Sequence, residues 1–448
     1  MGQGSGGKAG GNIGIIGGGW AGCAAAALLA ARGHAVTLLE AAPMLGGRAR
    51  TLETHDAPEL LDNGQHIAIG AYADTLALLQ SLGVAEDDAF HRMPFNLQRA
   101  DGTGLRFPDL PAPWNALLGI FGAKGWSWGE RMALLRWAAA WQIKGFRCHA
   151  DLTLAQITQS LPRKVQQQFI TPLCLSALNT AVHEASAQVF LRVLRDAMFL
   201  FPKGADFLLP KQDLGALLPQ AAAKAVRAAG GQLHSGQRVR SLQKQGDQQG
   251  SGWLAASDDQ SWVFSQVLLA TPAWVAADLL APISAQFGLN SAVQALNHLQ
   301  HRAIATVYAR SSQPLPAPML ALADSPQQPA QFVFDRSWLL PRAAEHQGAL
   351  LAFVISLCQL PPRQLQAAVL QQAQTQLGLD LQPVQTVVEK RATIAATPAA
   401  FAAKAQLPAR LGPGLYLAGD YLHPVYPSTL EGAVQSAQAA VAALLVDY

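Results

Sequence analysis

Ile13-Gly14-Ile15-Ile16-Gly17-Gly18-Gly19-Trp20-Ala21-Gly22 decides how the rest of the chain is read. A short β-type run, residues 12–16, leads into a turn that matches the pattern GxGxxG. An Ala- and Leu-rich helical stretch over residues 20–31 stops at Gly33, and a second apolar run, residues 35–39, ends at Glu40. Strand, glycine turn, helix and strand in this order open a right-handed βαβ unit. Each glycine has its own task. Gly17 permits the tight turn, Gly19 lets the backbone approach a pyrophosphate, and Gly22 lets the helix pack close to the strand. Trp20 and Ala21 begin the helix, whose free N–H groups and dipole favour a bound phosphate. Glu40 is placed to accept hydrogen bonds from an adenosine ribose, and a carboxylate there disfavours a 2′-phosphate, so NADP is not expected.

The far end of the chain points back to the same ligand. Residues 414–418 read as a strand that ends in Gly419-Asp420, and a last helix spans residues 430–445. Asp420 is suited to bond a ribityl hydroxyl or a water on the pyrophosphate. Ser428-x-x-Glu431 reads as a capping box, which puts Leu430, Glu431 and Ala433 in a first turn whose positive end faces a ligand. Reduced flavin carries negative charge that such an end stabilises. Gly432 is read as leaving room for the flavin ring. One large cofactor, FAD, held by both ends of the chain, accounts for the two segments together.

Three further stretches support this reading. Gly46-Gly47-Arg48 offers close backbone approach and a fork of donors for phosphate. Asp62-Asn63-Gly64-Gln65-His66 is a polar cluster between apolar runs. Gly64 can lie against a flat ring while Asn63, Gln65 or His66 points at a substrate; the alternative is a turn with solvated side chains. Arg238-Val239-Arg240, read as part of a strand over residues 237–242, can offer backbone contacts to an adenine from Val239, or be a half-exposed edge. Leu269-Ala270-Thr271-Pro272-Ala273 ends a strand over residues 263–270 with a Pro turn.

Composition sets the class. With 448 residues the chain can bury a sizeable core and is expected to hold two domains. Half of it is hydrophobic and 14% charged, which fits an apolar ligand or a membrane-surface habit. A net charge of +3 is too small to suggest nucleic acid. Cys23, Cys148, Cys174 and Cys358 are far apart with no CxxC pair, and no histidines stand at metal-ligand spacing. Neither a disulfide framework nor a metal site is expected, and the cytoplasm is the expected compartment. Residues 1–11, mostly glycine, read as a disordered leader.

Between these landmarks the chain changes character. Residues 79–204 carry long helical patterns and many aromatics, with five of the ten tryptophans between Trp114 and Trp141. Ser127-x-x-Glu130 reads as a capping box for a helix that runs to Ile143. Residues 213–229 read as a helix that ends at Gly230-Gly231. Strand-like runs at 303–309 and 349–357, a helix at 362–377 and a Pro- and Gln-rich loop at 314–329 complete the reading. The expected fold class is α/β: a Rossmann-type FAD-binding domain of the glutathione-reductase-like kind, with a second, mixed α+β substrate domain that carries a helical insert. The FAD domain is expected to be discontinuous, over 12–78, 205–275 and 410–448. The substrate domain takes 79–204 and 276–409.

Taken together the segments resemble the flavin amine oxidase and carotenoid desaturase superfamily over nearly the whole chain from Asn12. A narrower resemblance, to the hydroxysqualene dehydroxylases, is carried by Glu40-Ala41-Ala42-Pro43-Met44-Leu45-Gly46-Gly47-Arg48-Ala49-Arg50, by Asp62 to His66, by Glu389-Lys390-Arg391-Ala392-Thr393 and by Gly419 to Ala433. Met44 departs from the superfamily pattern, which usually has an arginine two residues before the paired glycines. The resemblance implies a reductive reaction, in which an allylic C30 alcohol loses its hydroxyl as water and receives a hydride from reduced FAD. The implied partners are an apolar isoprenoid and an external electron donor. From position and chemistry His66 is the candidate acid, with Tyr426 and His423 as alternatives. The Trp114–Trp141 segment has two open readings: a peripheral membrane contact, or core around a substrate tunnel. A carotenoid-type desaturase or an amine oxidase, each using oxidised FAD, is the competing function.

Overall fold

Every residue of the Ile13–Ile16 strand is buried, so it has no solvent face and belongs inside a sheet covered on both sides. It pairs in parallel with Val36–Leu39 on one side and with Gln266–Leu269 on the other. The full sheet has six strands in the order Arg410–Gly412, Leu415–Leu417, Gln266–Leu269, Ile13–Ile16, Val36–Leu39, Gln232–His234. Only the Arg410–Gly412 edge runs antiparallel. This is the Rossmann-type sheet. The computed structural model describes residues 12–52, 61–245, 252–340, 348–404 and 407–447; the expected leader, 1–11, lies outside them.

The Trp20–Ala30 helix is apolar almost all round and all but one of its residues are buried. It is clasped between the sheet and the helices Leu218–Ala228 and Leu430–Val446. The first and last helices of the chain therefore share one core, which brings residues 17–22 next to residues 419–433.

A second sheet has the order Met319–Ala321, Phe332–Asp335, Ala349–Ser356, His301–Ser311, Leu381–Ile394, antiparallel throughout. One of its faces meets the helical insert in a large aromatic core with Phe95, Phe169, Phe190 and Tyr308. In the insert, the Trp128–Ile143 helix begins with the expected reciprocal Ser127–Glu130 capping box. A three-stranded sheet, Ala68–Ile69, Phe207–Pro210 and Phe90–Met93, ties the insert to the cofactor side, because Phe90–Met93 comes from the segment expected in the other unit.

Several elements differ from the sequence reading, each for a local reason. The strand expected over 237–242 begins only at Ser241. Before it, Gly236 N and Gln237 N donate to Ala42 O and Glu40 O, which pins this stretch to the exit of the Val36–Leu39 strand. The run at 263–270 is two strands, Ser261–Phe264 and Gln266–Leu269, broken where Ser265 N turns to Asn12 O and the chain passes from one sheet to another. The helix expected from 213 starts at Leu218, because Asp62 and Asp213 carboxylates hold the 214 and 216 N–H groups in a turn. The 314–329 loop contains the short strand Met319–Ala321. The Leu381–Ile394 strand was not anticipated: Pro383 and the charged run 389–391 hide it. Both are tolerated because the strand lies at a sheet edge.

Candidate functional site

The glycine turn is built as the spacing requires. Gly17 has φ +107°, and a Cβ there would lie 2.6 Å from Ala270 O. A Cβ on Gly22 would lie 1.8 Å from Gly17 O. Gly19 is different: the nearest atom to its added Cβ is Gly47 Cα at 4.0 Å, so packing does not demand a glycine here. The open side of Gly19 is where a ligand can touch the backbone. The helix behind it has no side-chain cap and no acidic residue in its first turn, so its positive end is left for an anion.

Around this turn the chain is tightly tied. Gly46 N donates to Gly18 O at 2.8 Å, and Trp20 Nε1 donates to Ala49 O at 3.2 Å. Glu40 accepts from Gly18 N at 2.6 Å with one oxygen and from Ala42 N at 2.7 Å with the other. A carboxylate has about four lone-pair directions, so acceptor capacity remains for ribose hydroxyls. Val239 is buried beside Leu39, in the stretch pinned to Glu40 O.

Arg48 forms the centre of the assembly. Its Nη2 lies 2.6 Å from Asp420 Oδ1, and its Nη1 donates to Ala392 O at 2.7 Å. Asn63 Nδ2 donates to Arg48 O at 3.1 Å and to Glu389 Oε2 at 3.2 Å. Gly46–Arg48, the 62–66 turn, the Leu381–Ile394 strand and the Gly419-Asp420 corner therefore meet at one place. Gln65 N donates to Thr306 Oγ1. His66 is half-buried with Nδ1 2.9 Å from Gly64 O; burial lowers its pKa, the Gly64 carbonyl and Asp62 oppose that, and Arg48 adds to it.

The start of the last helix differs from expectation. Its cap is Thr429, whose Oγ1 accepts from Gly432 N. Ser428 has φ +59° and its Oγ accepts from Ile394 N instead, so no Ser428–Glu431 capping box forms. Glu431 turns away from the corner. Its carboxylate accepts from Asp74 N, Thr75 N and Thr75 Oγ1 and so caps the Ala73–Ser81 helix. Gly432 does not leave room for a ring: a Cβ there would strike Tyr426 O at 2.2 Å. Leu430 and Ala433 remain in the first turn, beside the Gly419 corner.

His423 and Tyr426 stack with centroids 5.3 Å apart. His423 Nδ1 accepts from the N–H groups of Val425 and Tyr426, so its proton sits on Nε2. Burial and the nearby Lys404 push its pKa down to about 4. Tyr426 donates its hydroxyl to the buried Asp196, which also pairs with Arg195. Sequence reading missed Asp196, Thr306, Arg336 and the Thr75–Glu431 cap. None stands in a motif, and each partner lies more than two hundred residues away.

Do these residues fit FAD? Two buried hydroxyls beside the site, Thr271 Oγ1 and Tyr421 Oη, have no hydrogen-bond partner among the described residues. Thr271 follows the Gln266–Leu269 strand against Gly17; Tyr421 follows Asp420. Orphaned buried polar atoms next to an open glycine face and an uncapped helix end are what a polar, anionic dinucleotide would satisfy. The fit is good. Fold and site together define a flavoprotein oxidoreductase with FAD as its cofactor.

The chain belongs to the family described as flavin containing amine oxidoreductase, whose model matches residues 20–445. It is 28% identical over 451 residues to the hydroxysqualene dehydroxylase of Rhodopseudomonas palustris, with 94% of this chain and 95% of that one covered. It is 25% identical to the Sinorhizobium fredii protein of the same name, over 95% and 96% of the two chains. Among solved structures, an oxidoreductase from Methanosarcina mazei superposes with a TM-score of 0.71 at 17% identity, covering 96% of this chain and 100% of that one.

Proposed function

We propose that this protein carries out the FAD-dependent reductive dehydroxylation of hydroxysqualene to squalene. The observation that carries the proposal is similarity from end to end, over 94% of this chain, to a hydroxysqualene dehydroxylase. When bound, reduced FAD supplies the hydride. The cofactor is held by the turn from Gly17 to Gly22, by Glu40, Gly46, Gly47, Arg48, Asn63, Gly64, Gln65 and Val239, and by Gly419, Asp420, Leu430 and Ala433. Glu431 contributes through its place in the first turn, since its carboxylate caps another helix. The proposal divides the chain into a cofactor unit (12–78, 205–275, 410–448) and a substrate unit (79–204, 276–409).

His66 is the proposed acid. The allylic C–O bond breaks, the hydroxyl leaves as water with the proton of the His66 imidazolium, and the carbon accepts the hydride. With Nδ1–H held by Gly64 O, the proton delivered is the one on Nε2. His423 and Tyr426 are less suited: protonation would cost His423 Nδ1 both of its N–H bonds, whereas His66 Nδ1 faces a carbonyl oxygen that suits an imidazolium, and Tyr426 has its proton engaged by Asp196. Apolar walls from the aromatic core limit capture of the cation by water.

The test is anaerobic. The protein is reduced chemically, hydroxysqualene is added in detergent, and flavin absorbance is followed while lipid is extracted for mass analysis. Re-oxidation with one squalene per flavin is expected. The reacting form of His66 is the protonated one, and burial places its pKa below 6.5, so the rate is expected to fall as pH rises through that lower midpoint. His66→Gln is expected to lose about 100-fold in rate with FAD retained. Full turnover in that variant excludes His66, and no re-oxidation of the native protein moves the reading to isoprenoid desaturation.

The insert is proposed to touch a lipid surface from which the substrate enters. Trp126 and Trp137 are core, but Trp114, Leu118 and Trp128 are 60%, 50% and 64% exposed, with Phe121 packed against Trp128. Residues 106–147 hold six Lys and Arg against two acidic residues, which suits an anionic bilayer. No helix among the described residues is long and apolar enough to cross a membrane, so the contact is peripheral. Native protein is expected to sediment with vesicles containing phosphatidylglycerol and Trp114→Glu/Trp128→Glu to stay in solution; equal behaviour of the two refutes the contact.

A further inference from the structure

A buried ion pair stands behind the 62–66 turn. The side chains of Arg336 and Asp62 are 4% and 3% exposed. Nη1 and Nη2 of Arg336 each lie 3.1 Å from Asp62 Oδ2. Nη1 also donates to Gln65 Oε1 at 2.9 Å. The other carboxylate oxygen of Asp62 accepts from Leu214 N, and the Asp62 carbonyl accepts from the Tyr308 hydroxyl. The Tyr308 ring lies under the guanidinium, 5.8 Å from its centre. Gln65 completes the chain, since its Nε2 donates to His66 O at 3.1 Å.

A buried pair of this kind is a poor device for stability alone. Well-packed apolar side chains of similar volume do as well or better. What the pair adds is direction. A guanidinium fork grips a carboxylate and an amide oxygen at once, which an ammonium point charge does not. Without that grip the Asn63 end of the 62–66 turn stays tied to Arg48 O and Arg50 O, while beyond Gly64, among the described residues, only Gln65 N to Thr306 Oγ1 restrains Gln65 and the ring that follows it from outside the turn. A displacement of about 1 Å at a reacting group is enough to lower a rate on the order of 100-fold.

We propose that Arg336 is a positioning residue: through Asp62 and Gln65 it holds the 62–66 turn in the orientation that presents His66 to the substrate. The inference rests on the proposed role of His66. It links two distant parts of the chain, because the residue that aims the turn directly follows the Phe332–Asp335 strand of the second sheet and is not part of the cofactor-binding βαβ unit.

The test compares Arg336→Lys, the apolar pair Asp62→Leu/Arg336→Met, and Gln65→Met, all as FAD-loaded protein. Three quantities are read: thermal midpoint, FAD dissociation constant, and kcat set against KM for squalene formation. The apolar pair is expected to keep the native melting point within a few degrees and to lose kcat on the order of 10- to 100-fold, with KM little changed. Arg336→Lys is expected to lose kcat in the same direction despite its retained charge. Native kcat in either one overturns the proposal. Should the apolar pair fail to hold FAD, Gln65→Met decides alone, because it leaves the Arg336–Asp62 pair intact and cuts the Gln65 links to Arg336 and to His66 O; native kcat there also overturns it. The visible spectrum of the bound flavin gives a readout independent of substrate. If native protein forms no squalene, the functional reading has failed, and a flavin spectrum unchanged in all three variants then overturns the positioning role as well.

Discussion

Gly22→Ala is expected to purify colourless and to melt on the order of 5 °C lower than the native protein. The added methyl would sit 1.8 Å from Gly17 O and 3.0 Å from Gly17 C. Both atoms are backbone, so no side chain can swing aside. Relief requires the Trp20–Ala30 helix to retreat from the strand, but its outer faces are held by Leu218–Ala228 and Leu430–Val446. The helix end then no longer stands over the glycine turn, and FAD loses its pyrophosphate site. Gly19→Ala separates ligand from packing. Gly19 has φ −70° and ψ −178°, which alanine adopts freely, and the nearest atom to the new methyl is 4.0 Å away. Its apoprotein is therefore expected to melt within about 2 °C of the native apoprotein, since trading glycine for alanine at a helix N-cap costs on the order of 0.5–1 kcal/mol. Yet it is expected to bind FAD at least about 100-fold more weakly, because the methyl takes the space where the pyrophosphate is proposed to meet the backbone. Titration of each apoprotein with FAD, followed by flavin fluorescence, measures both. Native affinity in Gly19→Ala would show that the phosphates do not approach at this face.

The contrast between these glycines also shows what was legible in the sequence. Gly17, Gly19 and Gly22 could be assigned separate tasks because a strand–turn–helix is a local object, set by residues within ten positions of one another. The same holds for the Ser127–Glu130 cap and the helix it opens. The Ser428–Glu431 box failed although it has the same pattern. There the local signal lost to two distant partners: Ile394 N took the serine hydroxyl, and the Ala73–Ser81 helix took the carboxylate. The glutamate found three donors at the N-terminus of another helix, where a negative charge is favoured as much as at its own. Arg336 was invisible for a related reason. Nothing around it in Phe332-Val333-Phe334-Asp335-Arg336 marks it, and its partners Asp62 and Gln65 lie 274 and 271 residues away. The Leu381–Ile394 strand was missed because an edge strand need not be apolar.

Arg48→Met is expected to weaken FAD binding by about 100-fold and to lower the stability of the apoprotein by about 2 kcal/mol, between the values for exposed and buried ion pairs. Arg48 joins three distant segments, with Asp420 at 2.6 Å, Ala392 O at 2.7 Å and its own carbonyl held by Asn63 at 3.1 Å. Its side chain is 32% exposed and that of Asp420 10%, so solvent screens the pair in part. The position matters more because Met44 leaves the neighbourhood without the arginine usual two residues before the paired glycines. Arg48→Lys keeps the charge but reaches only one of the two acceptors, and a loss of about 10-fold is expected. The decisive variant is Arg48→Met/Asp420→Asn. If Arg48 serves only to neutralise Asp420, removing both charges restores the affinity for FAD together with the melting point. If it also faces the cofactor phosphates, the melting point recovers and the affinity does not. The second outcome is expected, because the paired glycines that carry Arg48 lie directly against the open face of Gly19, where Gly47 Cα is the nearest neighbour. A guanidinium with one bond to its carboxylate partner and one to Ala392 O still has donors to spare for a phosphate oxygen. Recovery of both properties would instead make Arg48 a clamp between the ends of the chain and leave the phosphates to the helix end alone.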